Sequence, residues 1–375
     1  MKKNKPLRVL QIIGIVCGGG VEAVIMNYYR NINRENVQFD FIVDGKKKTL
    51  LDDEIESFGG KVYHVTAYKE NIFRYMYDVY KVMKNNQYSI IHDNMNTMSF
   101  FSLLPAWIAG KSIRIIHNHT TNAKKDGCKY YMKKILRPFA PLFANHYLAC
   151  SEFAGEWMYG KKAMISKHVK VINNAIDLNK FAYSQELRSK LRSQYDITEN
   201  EIIVGHVGRI APQKNHMFLL DVFADFYKNH HNSRLMLIGD GPLREQVIYR
   251  AKELGISKKV MFLGLRKNVY EFYSAMDIFV LPSLYEGLPV VTVEAQANGV
   301  PVCVSTAIPE EAVVLDNVKR LPLTEGTSVW RENMEALLGK RNLDSAEDMT
   351  SAGFSIKKEA VNLEDYYQKL WTRSK

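Results

Sequence analysis

The stretch Leu7-Arg-Val-Leu-Gln-Ile-Ile13-Gly14-Ile-Val-Cys17-Gly-Gly-Gly20-Val-Glu22-Ala-Val-Ile-Met-Asn-Tyr-Tyr-Arg-Asn31 decides the fold. It reads as a short β-branched strand, a glycine cluster and an amphipathic helix, the opening of a parallel sheet covered by helices. The same rhythm continues through strands at Phe39–Val43, Val62–Val65, Ile90–His92, Ile113–Ile116 and Tyr147–Ala149, with helical segments such as Asn71–Asn85 between several of them. After a polar, charged stretch around Ser184–Glu201 the pattern restarts, with strands at Ile202–Val207, Arg234–Ile238, Val260–Leu263, Ile278–Pro282 and Val302–Ser305. Helices at about 215–230, 241–254, 269–275 and 290–298 separate these strands. The expectation is two α/β domains, 1–183 and 184–356, followed by a helical segment, 357–375, rich in Tyr and Leu that packs on the folded protein.

Length and composition agree. A chain of 375 residues exceeds what one core usually serves, and 46% hydrophobic with 24% charged residues fits a folded globular protein. No window approaches the roughly 18 consecutive apolar residues of a spanning helix, and no signal peptide is read at the N-terminus. Cys17, Cys128, Cys150 and Cys303 lie far apart, without the two-residue spacing of zinc or redox motifs, which favours a reducing cytoplasm and no metal site. The net charge of +11 asks for an anionic partner, and charge alone does not choose among nucleic acid, phosphorylated small molecules and acidic lipid.

Several stretches have the composition of a binding site. Gly18–Gly20, before a helix, puts main-chain amides where an anion binds, although the dinucleotide fingerprint is absent and a bare glycine turn accounts for the spacing. Arg209 and Lys214 follow the strand Ile202–Val207, at the end of a strand where open α/β sheets bind ligands. Both cations suit a diphosphate, and a solvated loop with two exposed bases gives the same pattern. The richest segment is Leu281-Pro-Ser-Leu-Tyr-Glu286-Gly-Leu-Pro-Val-Val-Thr-Val-Glu294-Ala. There a strand ends, Gly287 and Pro289 permit a turn, and amides of 287–291 face a helix N-terminal anion site. An ionised carboxylate accepts hydrogen bonds from a vicinal diol. The pair Glu286 and Glu294 fits a sugar nucleotide, a glycosidase pair or a plain acidic helix start. His117-Asn118-His119 is expected at a strand tip, in a loop setting with exposed rings, and His92-Asp93-Asn94 ends a neighbouring strand. Between Lys124 and Phe143, bases interleave with aromatic and aliphatic residues, as an anionic membrane surface, RNA or a half-buried helix would each require.

Together these stretches resemble family four of the retaining glycosyltransferases. The matching pieces are Gly18-Gly19-Gly20-Val21-Glu22, Ala149-Cys-Ser151-Glu152, Val171-Ile-Asn-Asn174-Ala-Ile-Asp177 with Phe181, Val207-Gly-Arg209 with Lys214, Leu237-Ile-Gly239-Asp240-Gly241-Pro242, Phe262-Leu-Gly264, and the Glu286 to Glu294 segment. Where the family usually has Pro-Asn-Gly-Ile-Asp this chain has Asn173-Asn-Ala-Ile-Asp177, and Ala307-Ile-Pro-Glu310-Glu311 replaces a glycine pair before a glutamate. That variant looks like the branch concerned with bacterial capsule and exopolysaccharide assembly.

The resemblance implies a GT-B fold, two Rossmann-like domains facing across a cleft, with the final helix crossing back to the first. It implies that Arg209 and Lys214 bind the donor diphosphate with the amides of Gly287, Leu288 and Val290, that Glu294 holds the ribose, and that Glu286 faces the donor sugar. Gly19 and Gly20 would close on the diphosphate, and His119, or else His117, would sit beside the transferring sugar. His119 is preferred because Lys124 follows at the family-like distance. The implied reaction moves a sugar from a nucleotide-diphosphate sugar, by default a UDP-sugar, with retained configuration and no metal or cofactor. The acceptor is expected to be a glycan or a polyprenyl-diphosphate-linked glycan, with the anionic membrane surface, and not nucleic acid, as the partner of 124–143.

Overall fold

The computed structural model describes residues 5–16, 19–120, 128–166 and 168–374, with the backbone alone at 128–130. It divides into two compact units, Met1–Ala175 with Ile356–Lys375, and Ile176–Ser355.

Unit 1 is built on a parallel sheet of β1 (Leu7–Ile13), β2 (Val37–Asp44), β3 (Val62–Val65), β4 (Ile90–Asp93), β5 (Ile113–Asn118), β6 (His146–Ala149) and β7 (Lys170–Val171). The order is β3-β2-β1-β4-β5-β6-β7. β1 and β2 are almost wholly buried, and this near-continuous apolar character is what a parallel sheet with both faces covered demands. Leu10, Ile12, Ile42 and Ile91 pack against Tyr75, Val79 and Met83 of the helix Ile72–Asn85, whose cap is the Asn71 side chain accepting from the Arg74 amide. The last helix, Ile356–Ser374, lies against the helix Gly20–Asn31 and sends Tyr367 into the interior.

Unit 2 repeats the plan with β8 (Ile202–Val207), β9 (Ser233–Ile238), β10 (Val260–Gly264), β11 (Ile278–Leu281), β12 (Val302–Ser305) and β13 (Val318–Leu321), in the order β10-β9-β8-β11-β12-β13. Leu219, Phe223 and Phe226 of the helix His216–Asn229 and Trp330 and Met334 of the helix Gly326–Leu337 pack onto Val204, Leu235, Leu237 and Val280. In both sheets the strand order reverses at the middle, between β1 and β4 and between β8 and β11.

The helix expected from residue 241 begins at Arg244. Neither β7 nor β13 was expected from the sequence: β7 has two residues, and β13 places the exposed Lys319 and half-buried Arg320 in an edge strand, where a buried strand's apolar run is not required. The division between the units falls at Ala175 and Ile176, ahead of the polar stretch at 184, because residues 176–183 carry a helix, Leu178–Phe181, that packs on the unit 2 helices Val269–Ala275 and Val290–Ala297.

One buried ion cluster ties the start of unit 2 together. Asp277, just before β11, takes Arg188 at 2.7 Å, the wholly buried Arg192 at 3.3 Å and the Ile203 amide at 2.7 Å. Removing the carboxylate leaves the buried Arg192 and the largely buried Arg188 without their counterion, with main-chain carbonyls as their remaining partners. Asp277→Ala is therefore expected to cost about 3–5 kcal/mol, read as a lower urea midpoint, whereas Asp53→Ala, which breaks an exposed pair with Lys48, should leave the midpoint in place.

Candidate active site

In unit 2 the loops after β8 and β11 diverge at the reversal of strand order, the place where open α/β sheets bind ligands. The loops are stitched to each other. The Leu284 amide donates to the Gln213 carbonyl at 2.8 Å, and the Gln213 side-chain amide donates to the Tyr285 carbonyl at 3.1 Å. Lys214 Nζ lies 2.7 Å from Glu286 Oε1, with both side chains largely buried, and Gln213 Nε2 donates to the other Glu286 oxygen at 3.1 Å. Pro212 starts the short turn Pro212–Lys214, and Asn215 follows it with φ +54°, a left-handed conformation that asparagine tolerates, before the helix His216–Asn229 begins.

Arg209 is exposed on the same loop. Its backbone is clamped by the segment after β9: Ile210 donates to the Asp240 carbonyl at 3.0 Å and Leu243 donates to the Ile210 carbonyl at 3.1 Å. Gly239 and Gly241 make that contact possible. Gly239 has φ +134°, and a Cβ there would stand 2.0 Å from the Gly208 oxygen; one at Gly241 would stand 2.4 Å from the Ile210 oxygen. So the Gly239-Asp240-Gly241 motif holds the arginine loop by close backbone packing.

Glu294 lies in the helix Val290–Ala297 and accepts from the buried Tyr273 hydroxyl at 2.7 Å. Burial pushes its carboxyl up to about 7. Tyr273 in turn packs against Phe181, their ring centroids 6.0 Å apart, and Phe181 ends a helix capped by the Asp177 side chain. Asp177 and Phe181 are thereby structural supports of the Glu294 site. Glu310 points elsewhere, pairing with Arg320 at 2.6 Å.

Within unit 1, Gly19 caps the helix Gly20–Asn31, and its amide donates to Glu22. This corrects the expectation that Gly19 presents its amide to a ligand, since a carboxylate of the first helical turn already takes it. Gly19, Gly20 and Glu22 line a cavity of about 290 Å³ with Gly14, Asn94 and Asn96, at the reversal between β1 and β4. The expected exposed histidines are also corrected. His117 lies within β5, His119 just beyond it, and both are buried because β5 is an inner strand of the sheet. Burial holds His119 down to about 3 and pushes His117 well below the ordinary imidazole value, so both rings are neutral. Gly18, Cys17 and Lys124 lie outside the described residues, as does the 124–127 part of the basic stretch.

The structure thus brings Arg209, Lys214, Glu286 and Glu294 together in unit 2, and Gly19 and Gly20 border the cavity in unit 1. Gln213 and Tyr273, which hold the two carboxylates, belong to no expected site. Gln213 sits between Arg209 and Lys214, the two cations that the sequence singles out; Tyr273 is on a helix that carries no motif.

Comparison with known proteins accounts for this arrangement. A family described as Glycosyl transferases group 1 matches residues 188–352, and one described as Glycosyltransferase Family 4 matches 18–180. EpsF of Bacillus subtilis (strain 168), which bears a glycosyltransferase name, is 35% identical over 87% of this chain and 86% of its own. The chain belongs to the family 4 glycosyltransferases.

Two further relatives of this glycosyltransferase are each 25% identical to it. One is the capsular polysaccharide biosynthesis glycosyltransferase CapH of Staphylococcus aureus, over 96% of this chain and 98% of CapH. The other is the UDP-Gal:alpha-D-GlcNAc-diphosphoundecaprenol alpha-1,3-galactosyltransferase of Escherichia coli, over 76% of each chain. Among solved structures, Anabaena HepE in complex with UDP and glucose superposes with a TM-score of 0.77 at 19% identity, over 97% of this chain and 100% of HepE, which shows the shared GT-B fold.

The raised Glu294 carboxyl gives the glycosyltransferase a pH signature. Its folded value, about 7, lies above the ordinary 4.5, so between these values folding takes up a proton, and ionisation as pH rises through about 7 works against burial. For the donor-hydroxyl role proposed below, the ionised carboxylate is the stronger acceptor, so the donor KM should rise up to about tenfold from pH 8 to pH 6, where roughly a tenth of the groups are charged. Steady-state kinetics should show this limb flattened in Glu294→Gln; an unchanged limb would assign it to another group.

Proposed function

We propose that this glycosyltransferase moves a sugar from a UDP-sugar to a lipid-linked or polymeric glycan acceptor in cell-surface polysaccharide assembly, with retention of anomeric configuration and without a metal. The observation that carries the reading is the Lys214–Glu286 pair, fixed beside the Arg209 loop and the Glu294 helix at the strand-order reversal. The relatives support the finer points: one is named for UDP-Gal and a diphosphoundecaprenol-linked acceptor, another for capsular polysaccharide.

The chemistry follows from where charge develops. The bond from the anomeric carbon to the β-phosphate oxygen breaks, and the electron pair stays on the leaving UDP. The acceptor oxygen bonds to the same face of the anomeric carbon, and its proton passes to a leaving phosphate oxygen. Arg209 offers a planar fork and Lys214 a point charge to the departing diphosphate, together with amides of Gly287, Leu288 and Val290 at the start of the helix Val290–Ala297. Glu294, oriented by Tyr273, accepts hydrogen bonds from the ribose diol. Glu286 faces the donor sugar while it holds Lys214 in place. In unit 1, we assign His119 to the sugar.

The described part of the basic stretch, 131–143, is the surface we assign to an anionic membrane. In the described part, Tyr131, Met132, Ile135, Phe139 and Leu142 are exposed among Lys133, Lys134 and Arg137. Apolar groups that insert and bases that contribute about 1 kcal/mol each suit a lipid headgroup layer. Among the described residues no helix is long and apolar enough to cross a membrane.

Two measurements test these assignments. Arg209 is exposed, so Arg209→Ala should leave the melting temperature within about 2 °C while kcat falls about 10²-fold, the scale for one lost transition-state donor; undiminished turnover would remove the diphosphate site. Vesicles with anionic lipid should float the protein at low salt and release it at high salt, and replacement of Ile135 and Leu142 by Ser should abolish flotation; no flotation at low salt would discard the membrane surface.

A further inference from the structure

A buried chain of polar side chains in unit 1 fixes the protons of three histidines. Asn94 Nδ2 faces the main-chain carbonyl of His92 at 3.3 Å and Gln11 Oε1 at 3.1 Å. A carbonyl only accepts, so this contact sets the orientation of the Asn94 amide and, through it, that of Gln11. Asn94 Oδ1 then faces His119 Nε2 at 2.9 Å, so His119 carries its proton on Nε2. On the other side Gln11 Nε2 donates to the Tyr367 hydroxyl at 3.1 Å, and the hydroxyl proton goes to its remaining neighbour, His92 Nδ1, at 2.6 Å. His92 therefore holds its proton on Nε2 and donates to His117 Nδ1 at 3.1 Å, which leaves the His117 proton on Nε2 as well.

Two ring atoms are left over. His117 Nε2 is a buried donor and His119 Nδ1 a buried acceptor, and neither has a hydrogen-bond partner among the described residues. The two rings lie 3.9 Å apart between centroids, beside a space of about 20 Å³ that His92, Asn94 and Tyr367 also line. An orphan donor next to an orphan acceptor matches a group that does both, and a hydroxyl is such a group. A carboxylate or phosphate oxygen would satisfy His117 and leave His119 facing another lone pair. We propose that Gln11, Asn94, His92 and Tyr367 are positioning residues that lock His117 as donor and His119 as acceptor, so that the pair receives one sugar hydroxyl. The sugar rests on the transfer reading above; the proton positions do not.

Histidine-selective ¹⁵N labelling tests the two parts separately. Long-range ¹H–¹⁵N spectra should show His92, His117 and His119 neutral with the proton on Nε2, and a proton on Nδ1 of His117 or His119 would overturn the proposal. In Gln11→Glu the carboxylate accepts the Tyr367 proton, so the relay reverses: His92 and His117 should switch to Nδ1–H while His119 keeps Nε2–H. Tyr367→Phe, which removes the hydroxyl, should give mixed forms of His92 and His117. Spectra unchanged in both variants would sink the relay. Binding of UDP-glucose, UDP-galactose or UDP-N-acetylglucosamine, whichever raises the melting temperature, should shift His117 Nε2 and His119 Nδ1. A bound donor that moves neither nitrogen overturns the hydroxyl role, whereas failure of all three to bind counts against the UDP-sugar reading and leaves the proton positions to be judged by the spectra.

Discussion

A parallel sheet that winds outward to one edge and then returns to its middle must leave two loops diverging at the carboxyl ends of its central strands, and both units of this chain obey that constraint. The gap cannot be closed by the sheet itself, because the two strands send their helices to opposite faces. In unit 2 it is bridged by hydrogen bonds from Gln213 and to it, and by the Lys214–Glu286 ion pair. Those contacts hold a cation and a carboxylate at the open edge before any ligand arrives. The neighbouring loop needs no side chain to keep Arg209 in place, because Gly239 and Gly241 let one backbone lie directly on another.

The two carboxylates of the site differ in partner and so in behaviour. Glu286 has a cation 2.7 Å away, while Glu294 is held by a phenol at 2.7 Å and its desolvated setting, which outweighs the pull of Lys180 and Lys214, raises it to about 7. Different neighbours separate the two groups: one carboxylate is paired with a cation, and the ionisation of the other is linked to pH near neutrality. Unit 1 applies the same economy to imidazole. Burial removes the charge of His92, His117 and His119, and what remains is the direction of each N–H, set by amides that cannot titrate.

Much of this was legible in the sequence. Inner strands of a parallel sheet are covered on both faces, so Leu7–Ile13, Ile202–Val207 and Val302–Ser305 show as mostly apolar runs and match to the residue. The edge strand Val318–Leu321 carries Lys319 and Arg320 and reads as loop. Among the candidate residues, Arg209, Lys214 and Glu286 stand out in the sequence as charged residues soon after clear strands, and Glu294 as the carboxylate of the helix that follows. Their supports do not. Tyr273 acts through a helix with no motif, and Tyr367 meets His92 across hundreds of residues, a proximity that only the packing of the last helix on unit 1 creates. The burial of His117 and His119 was missed for a related reason: the run Ile113–Ile116 marks the strand, but only the pairing of β5 with β6 shows that it continues to Asn118.

The ion pair also explains how Lys214 can sit largely buried. A buried lysine without a counterion costs several kcal/mol, and Glu286 removes that cost. For the proposed donor the pair has a second consequence. Lys214 is already neutralised, so the positive charge that first meets an incoming diphosphate is Arg209, exposed and without a carboxylate partner among the described residues. The diphosphate then shares Lys214 with Glu286, and the attraction grows as negative charge builds on the leaving oxygen. A cation held this way contributes less to binding the intact donor than a free one, and more of its effect falls on the transition state, where catalysis requires it.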